Sequence, residues 1–205
     1  MRLHLGCSDV HKPGYLGVDV CEPPPWATEE NFLREDLSGL DVHVFPGEGF
    51  LPDSFAAWEP APWPWEDSSV DEIIAHDVFE HIDNMQFRGN AGMIWTFNES
   101  WRVLKPGGKL DLIVPCLPGS APFVDPTHKV VYHADNAFYF TERWNHPQGE
   151  RGRLGDAYDI TALFRTVGGR SYNPKAGPEE SEWVPINYAP RTDRHKLFLV
   201  LEAVK

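Results

Sequence analysis

Short apolar runs separated by polar segments dominate the first half of the chain and predict buried β-strands. They cover residues 2–6, 15–20, 32–37, 70–75 and 109–114. Between the last two runs, residues 83–104 carry apolar side chains at helical spacing, and Gly89 and Gly92 are expected to break this helix into two pieces. Pro106 and Gly107 are expected to end it. The pattern is typical of a βαβ unit.

The second half of the chain is less regular. Residues 136–144 and 158–167 favour short helices, and residues 195–204 favour a long, largely apolar strand, whereas residues 41–65 show no period and predict an irregular loop. Strands that alternate with helices predict an α/β fold with a mostly parallel sheet and an antiparallel C-terminal strand. Only about ten residues separate the first two strands, so the first crossover must be abbreviated.

Composition indicates one ordered domain over residues 1–205. A chain of 205 residues can build one sizeable core, and a hydrophobic content of 41% argues against wholesale disorder. The 19 prolines indicate that much of the chain is loop. The formal net charge of −13 repels phosphate backbones, so nucleic acid is not the expected partner.

Cysteine usage and hydropathy favour a soluble cytoplasmic protein. Cys7, Cys21 and Cys116 form no C-x-x-C pair, and an odd thiol fits a reducing compartment. Nothing resembles a signal peptide, and no segment reaches the roughly 20 apolar residues that cross a bilayer. The sequence leaves the choice between a monomer and a homodimer open.

Polar residues suited to ligand binding follow the predicted strands. Gly6 and Ser8 lie in the turn after the first strand, where small residues let a ligand approach the backbone. Asp19 ends the second strand, where a carboxylate can accept hydrogen bonds from both ribose hydroxyls. Asp36 and His76 follow the third and fourth strands. Because the carboxyl ends of parallel strands share one edge, we expect a nucleoside site; for each aspartate, a helix cap or a solvated turn is the alternative.

Four segments carry a resemblance to a known family. They read LHLGCSDVHKPGYLGVD, REDLS, WPWEDSSVDEIIAHDVFEHI and ESWRVLKPGGKLDLIVP, and the last two are the most specific. Over residues 1–115 the chain resembles class I S-adenosylmethionine-dependent methyltransferases, in particular a small group that opens with LxLGCG…pGyxxxD. The segment DPTHK, residues 125–129, also looks like part of that group. The resemblance implies a Rossmann-like fold with helices on both faces of the sheet, a cofactor half over residues 1–115 and an acceptor half over residues 116–205.

The resemblance also implies a binding site for S-adenosylmethionine. Its residues would be Leu5, Gly6, Cys7, Ser8, Asp19, Asp36, Leu37, His76 and Asp77. Gly6 and Ser8 would contact the methionine part, and Asp19 the ribose. The family usually has glycine in place of Ser8. A serine is tolerated there if its φ is negative, and its hydroxyl can then bond the cofactor carboxylate; weakened binding is the alternative.

The remaining members of this site would face the base and the reactive group. Asp36 with Leu37 would flank the adenine, and His76 with Asp77 would line the floor near the sulfonium. Transfer of a methyl group from a sulfonium requires in-line alignment of donor and acceptor. A hydroxyl or neutral amine acceptor also requires a group that takes up its proton.

Histidine is the side chain that titrates near neutrality without help, so it is the expected base. His128 is the preferred candidate because it lies in a polar loop after the last strand of the cofactor half, followed by His81 and His76. Asp77 or Glu80 could orient one of these rings. For His81 the alternative is that it satisfies backbone groups at the start of a helix.

Histidine spacing argues against a metal centre. His76 and His81 are five residues apart, as are His128 and His133, and that spacing does not place two ligands on one helical face. No structural zinc site is expected. The aromatic residues 138–140 and Trp144 either wall an acceptor pocket or pack a small subdomain.

The sequence thus predicts methyl transfer from S-adenosylmethionine to a hydroxyl or amine of a small-molecule or sugar-like acceptor held by residues 116–190. A nicotinamide-dependent oxidoreductase is disfavoured because the turn at residues 6–8 lacks the further glycines of a pyrophosphate loop. A non-catalytic protein that binds S-adenosylmethionine is a second alternative. A nucleic-acid or protein methyltransferase is the third, and it needs a locally basic face. The candidates for such a face are Arg143, Arg151, Arg153, Arg165 and Arg170.

Overall fold

Seven strands form one sheet in the part of the chain that the computed structural model describes, which is residues 1–38, 62–82, 92–141, 158–172 and 196–205. The strands are β1 Arg2–Leu5, β2 Leu16–Asp19, β3 Phe32–Arg34, β4 Val70–His76, β5 Leu104–Pro115, β6 Phe164–Tyr172 and β7 Lys196–Ala203. The helices are α1 Gly92–Val103 and α2 Ala121–Val124, with 3₁₀ segments at Phe79–His81 and Ala134–Phe140. Within these ranges no helix has the length and hydropathy to span a membrane.

The strand order is β3-β2-β1-β4-β5-β7-β6. Neighbours from β3 to β5 all pair in parallel. β7 runs antiparallel to both of its neighbours, β5 and β6. The expected mostly parallel sheet with an antiparallel C-terminal strand is confirmed. The chain order reverses between β1 and β4, and the carboxyl ends of the strands at such a reversal form the crevice in which open α/β sheets bind ligands.

The crossover between β1 and β2 contains no helix, which confirms the abbreviated first connection. Side-chain contacts hold this loop instead. The Trp26 indole N–H donates to the Asp9 carbonyl oxygen at 2.7 Å, and the Trp26 ring stacks on His11 with centroids 5.0 Å apart. The Tyr15 hydroxyl donates to Glu72 Oε2 in β4 at 2.8 Å. The loop therefore lies against the sheet although it is too short for a helix.

The main core lies on one face of the sheet. Leu110 of β5 and Phe164 of β6 are fully buried on this face. Phe97 of α1 packs edge-on against Phe164, with ring centroids 6.3 Å apart, and stacks on Phe140 at 4.0 Å. The described helical segments longer than one turn, α1 and residues 134–140, both pack here. The expected helices on both faces are therefore seen on one face only within the described residues.

Several predicted boundaries differ from the structure. The helix expected over residues 158–167 is wrong: Ile160, Ala162 and Phe164 are buried in alternation, and β6 begins at Phe164. A short apolar run does not distinguish a buried helix turn from a strand by period alone. The helix expected over residues 136–144 is a 3₁₀ segment as far as Phe140.

Two further differences concern the strands. β3 ends at Arg34, before the predicted end at residue 37. β5 begins directly after α1, and its register against β4 shifts between Val70 and Glu72, so the segment from Pro106 to Gly108 is an irregularity within the strand. Other predictions fall outside the described residues: the loop over 41–61, the first helical piece over 83–91, residues 142–144 and residue 195.

Candidate functional site

Gly6 brings the ends of three strands together. It follows β1, and its N–H donates to the Val18 carbonyl oxygen of β2 at 2.8 Å. Its φ is +62°, and a Cβ added to it would lie 2.6 Å from the Cβ of Val78, which follows β4. Only glycine fits both the left-handed backbone and this close approach. The predicted turn therefore has a steric reason for its glycine.

Asp19, the last residue of β2, faces the same turn. Its Oδ2 accepts a hydrogen bond from the Ser8 N–H at 2.8 Å, and its Oδ1 accepts one from the Cys21 N–H at 3.0 Å. Burial raises the pKa of this carboxyl, but the backbone hydrogen bonds from Cys21 and Ser8 outweigh burial and hold the pKa below its ordinary value. The Cys21 thiol and the Val20 N–H also lie close enough to contribute to this lowering of the pKa, so the carboxylate is held in its ionised, hydrogen-bond-accepting form.

Ser8 adopts the left-handed conformation. Its φ is +48°, so the negative φ under which a serine was expected to be tolerated is not found. The main chain turns back here so that the Ser8 N–H reaches Asp19. The family's usual glycine would adopt this φ without steric cost.

A cleft of about 390 Å³ opens at the carboxyl ends of β1, β2 and β3. It brings together four residues predicted from the sequence: Gly6, Asp19, Asp36 and Leu37. Glu35 lines it as well, so three carboxylates face one space. Burial, followed by the charge of Asp36, raises the pKa of Glu35. The cleft therefore favours a ligand that carries positive charge or hydrogen-bond donors.

Backbone contacts hold the far wall of the cleft. The Ser38 N–H donates to Asp36 Oδ1 at 2.9 Å. The Trp63 indole N–H donates to the Leu37 carbonyl oxygen at 3.0 Å, and the Trp63 ring is buried. Trp63 was not among the site residues predicted from the sequence, although it lies in the WPW tripeptide that opens the family-resembling segment WPWEDSSVDEIIAHDVFEHI. Val78 and Ile82, which also line the cleft, were missed as well.

Other predicted site residues lie elsewhere. Leu5 and Cys7 are buried, and neither they nor Ser8 line the cleft. The His76 Nε2 lies 3.0 Å from Asp111 Oδ1 on β5, and the Asp77 carboxylate is paired with the Lys196 ammonium.

The resemblance implied that His76 and Asp77 line the floor of the cleft. In the structure, Val78, which follows β4, lines the cleft. Val78 contacts Gly6 across the strand ends. Neither His76 nor Asp77 is among the lining residues.

Glu80 is a buried carboxyl group beside the cleft. Its side chain is 1% exposed, and neither carboxylate oxygen has a hydrogen-bond partner in the part of the chain that the structure describes. Its own carbonyl oxygen accepts hydrogen bonds from the N–H groups of Lys129 and Val130, at 2.7 and 3.0 Å. Burial raises the pKa of the Glu80 carboxyl to about 8. These backbone bonds bring the DPTHK segment against the residues that follow β4.

His128 and His81 adjoin Glu80, with ring centroids 4.8 Å apart. The His128 Nδ1 lies 3.0 Å from the Pro122 carbonyl oxygen, which can only accept, so the Nδ1 carries the proton and the Nε2 carries a lone pair. This Nε2 is 3.9 Å from Glu80 Oε1. The His81 Nδ1 lies 3.0 Å from the Thr127 hydroxyl oxygen, and that hydroxyl donates to Asp125 at 2.6 Å. The Nδ1 of His81 is therefore also the donor.

The three side chains form one group, here named the Glu80 cluster: Glu80, His81 and His128. His81 also lines the cleft, so the cluster stands at its edge. Both imidazoles keep an Nε2 lone pair that can accept a proton or bind a cation. Both histidines were predicted as candidate bases from the sequence, but the proximity of both to the buried Glu80 carboxyl group was not predicted.

A second cavity, of about 530 Å³, lies between α1 and the segment that follows the cluster. Its walls include Ile94 of α1, Tyr139, Phe140 and Lys129. Lys129 directly follows His128 in the sequence, but Glu80, His81 and His128 are not among the residues that line this cavity. The side chain of residue 138 and the whole of Trp144 are outside the described part of the chain.

Comparison with known proteins identifies the fold. No protein-family model matches the sequence, and no curated protein matches it significantly. Among solved structures, the chain is similar to the 1,6-didemethyltoxoflavin-N1-methyltransferase of Burkholderia thailandensis, with bound 1,6-didemethyltoxoflavin and S-adenosylhomocysteine. The TM-score is 0.52 and the identity 14%, over 100% of this chain and 71% of that one.

A S-adenosylmethionine-dependent methyltransferase from Archaeoglobus fulgidus is similar as well. Its TM-score is 0.51 at 12% identity, over 98% of this chain and 85% of that one. Each of these two similarities covers at least 98% of this chain. The protein therefore has the class I fold of S-adenosylmethionine-dependent methyltransferases.

Proposed function

We propose that the protein transfers a methyl group from S-adenosylmethionine to a small-molecule acceptor. The observation that carries the proposal is the cleft at the strand reversal, in which Asp19 presents an ionised carboxylate beside Gly6. Open α/β sheets bind nucleotides at this place, and an acidic residue there bonds ribose hydroxyls. The class I methyltransferase fold supports the same cofactor.

In this proposal different cleft residues contact different parts of the cofactor. Asp19 accepts hydrogen bonds from the ribose hydroxyls, and Asp36 with Leu37 flanks the adenine. The turn at Gly6 holds the methionine part, whereas Ser8, which the resemblance also implied for this role, does not line the cleft. The methyl group would then lie toward His81, the lining residue that belongs to the Glu80 cluster.

The chemistry is a displacement in which the acceptor atom bonds to the methyl carbon while the carbon–sulfur bond breaks. The sulfur keeps the electron pair and leaves as S-adenosylhomocysteine. The protein must align the two partners and receive the proton of the acceptor. We assign the proton to the Nε2 lone pair of His128 or His81. His76, the third candidate from the sequence, does not line the cleft and bonds to Asp111.

A small or sugar-like acceptor with a hydroxyl or amine group fits best. The second cavity is large enough for a molecule of that class and has aromatic walls. The similar Burkholderia enzyme was solved with bound 1,6-didemethyltoxoflavin and S-adenosylhomocysteine. A nucleic-acid acceptor is disfavoured by the net charge of −13. Of the arginines that could form a basic face, Arg165 lies near Glu202, and Arg143, Arg151 and Arg153 fall outside the described residues.

Binding calorimetry with S-adenosylhomocysteine tests the proposal. The wild-type protein should bind one equivalent, and Asp19→Ala should bind at least about 30-fold more weakly because it loses charge-assisted hydrogen bonds worth roughly 2 kcal/mol or more. The matched control is Glu22→Ala, which removes a nearby carboxylate that pairs with Arg34 on the surface. Its affinity should stay within about twofold of wild type.

Two results would contradict the assignment. One is equal affinity of Asp19→Ala and wild type, with circular dichroism showing that both are folded. The other is binding of NADH in place of S-adenosylhomocysteine, which would revive the oxidoreductase alternative. The crossover that contains no helix argues against that outcome, because it offers no helix N-terminus for a pyrophosphate.

A further inference from the structure

The Glu80 cluster has the donor set of a metal centre. A carboxylate oxygen of Glu80 and one ring nitrogen each of His81 and His128 lie within 4.8 Å of one another. Two imidazoles and one carboxylate bind zinc and other divalent transition metals in sites that keep open positions for water or substrate. We propose that these three side chains bind a divalent transition metal such as Zn²⁺ at the edge of the cleft.

The burial of Glu80 is an independent observation that points to a cation. Its side chain is 1% exposed, and among the described residues neither carboxylate oxygen finds a hydrogen-bond partner. A buried carboxylate without a partner is energetically costly. Lys196, whose charge acts on Glu80, is itself paired with Asp77. A metal ion between the two histidines would supply the partner that the protein does not.

The hydrogen bonds behind the two histidines are those of metal ligands. A ligating imidazole commonly donates its other N–H to a backbone carbonyl or to a polar group that is itself held. His128 has this arrangement through the Pro122 carbonyl oxygen, and His81 has it through Thr127, whose hydroxyl is bonded to Asp125. Both rings therefore keep the Nε2 lone pair for coordination.

Side-chain rotations would have to bring the three ligand atoms, which lie within 4.8 Å of one another, closer together to complete the site. Metal–ligand bonds of about 2.1 Å separate ligand atoms by roughly 3 to 3.5 Å. The His128 Nε2 and Glu80 Oε1 are 3.9 Å apart, so rotation of the side chains by less than an ångström brings this pair into range. The spacing of histidines in the sequence did not reveal the site, because its third ligand comes from the distant DPTHK segment.

A metal here would deepen the proposed function, and this part of the inference rests on it. A bound cation lowers the pKa of a coordinated hydroxyl or water, so it could activate an acceptor hydroxyl beside the methyl donor. The histidines would then be ligands in place of the bases proposed above, because coordination and proton uptake use the same lone pair, and the proton of the coordinated hydroxyl would pass to solvent water. Metal binding itself does not depend on methyl transfer.

The test is calorimetric titration of Zn²⁺ into the tag-free full chain after treatment with a chelator, with Co²⁺ absorption as a second readout. Wild type should bind one Zn²⁺ per chain, and Co²⁺ should give visible absorption bands of a protein-bound ion. Glu80→Gln and His128→Gln should each weaken binding at least tenfold. The matched control is His133→Gln, which removes a histidine whose Nδ1 lies 3.5 Å from Asp135, and it should bind as wild type does.

The outcomes separate this inference from the proposed function. Absence of saturable binding to wild type, or unchanged affinity in both Glu80→Gln and His128→Gln, would overturn the metal site. Retention of Zn²⁺ binding by Asp19→Ala, which should not bind S-adenosylhomocysteine, would support an independent site. If wild type binds Zn²⁺ through these residues but does not bind S-adenosylhomocysteine, the metal site stands and the proposed function fails.

Discussion

Left-handed backbone at single residues shapes the cleft. Gly6, Ser8 and Asp77 have φ values of +62°, +48° and +54°, and all three follow strands that end near the cleft. For a residue with a side chain this conformation costs about 1–2 kcal/mol, and such strain clusters at functional sites. At Ser8 this conformation directs the backbone N–H toward the Asp19 carboxylate, and the resulting hydrogen bond offsets part of the strain. The strained turn thus prepares the carboxylate that we assign to the ribose.

Replacing Ser8 by glycine should stabilise the fold. Relief of about 1–2 kcal/mol of left-handed strain outweighs the added chain entropy of glycine, about 0.5–1 kcal/mol, so the free energy of unfolding should rise by up to about 1.5 kcal/mol. Urea denaturation measures this. Ser120→Gly is the matched control, since its φ of −82° offers no strain to relieve, and it should lose stability. A less stable Ser8→Gly would mean that the serine side chain contributes to the fold.

At the scale of elements, α1 anchors the wall of the cleft through a buried ion pair. The side chain of Glu99 is 6% exposed. Its Oε2 accepts hydrogen bonds from the backbone N–H of Trp63 and from the Arg102 guanidinium, both at 2.7 Å. Arg102 also donates to the Trp63 carbonyl oxygen at 3.0 Å. Because the Trp63 indole holds the Leu37 carbonyl oxygen, α1 is linked to the cleft through one tryptophan.

Glu99→Ala should therefore be strongly destabilising. Removing one partner of a buried ion pair costs about 3 kcal/mol or more, because the Trp63 backbone N–H loses its acceptor and Arg102 loses its buried carboxylate partner. Chemical denaturation checks the loss. Asp67→Ala serves as control, because Asp67 bonds to the same Arg102 but is 78% exposed, and its loss should cost less than about 1 kcal/mol. Equal losses in the two variants would show that Glu99 is not the anchor.

Strands and strand ends were predictable, whereas contacts between distant segments were not. The apolar runs located β1, β2 and β4, and the rule that parallel strands share a carboxyl edge brought Asp19 and Asp36 to one cleft. The helix predicted over residues 158–167 was wrong because a short apolar run is compatible with both a helix and a strand. Glu80 could not be paired with His128 from the sequence, since their meeting depends on how a loop folds back.

For the whole molecule, function depends on the reversal of strand order between β1 and β4. The reversal separates the short strands β2 and β3, which carry the carboxylates of the cleft, from the longer strands that support the Glu80 cluster. The acidic cleft and the net charge of −13 both favour a cationic donor, and a sulfonium is one. In the proposed function, the donor and acceptor sites lie on either side of the residues that follow β4.

A crystal structure of the complex with S-adenosylhomocysteine tests this arrangement most directly. The account predicts ribose hydroxyls within hydrogen-bond distance of the Asp19 carboxylate, adenine beside Asp36 and Leu37, and the sulfur directed toward the cluster of Glu80, His81 and His128. A ligand bound elsewhere, or bound in the cleft with its sulfur turned away from that cluster, would contradict it.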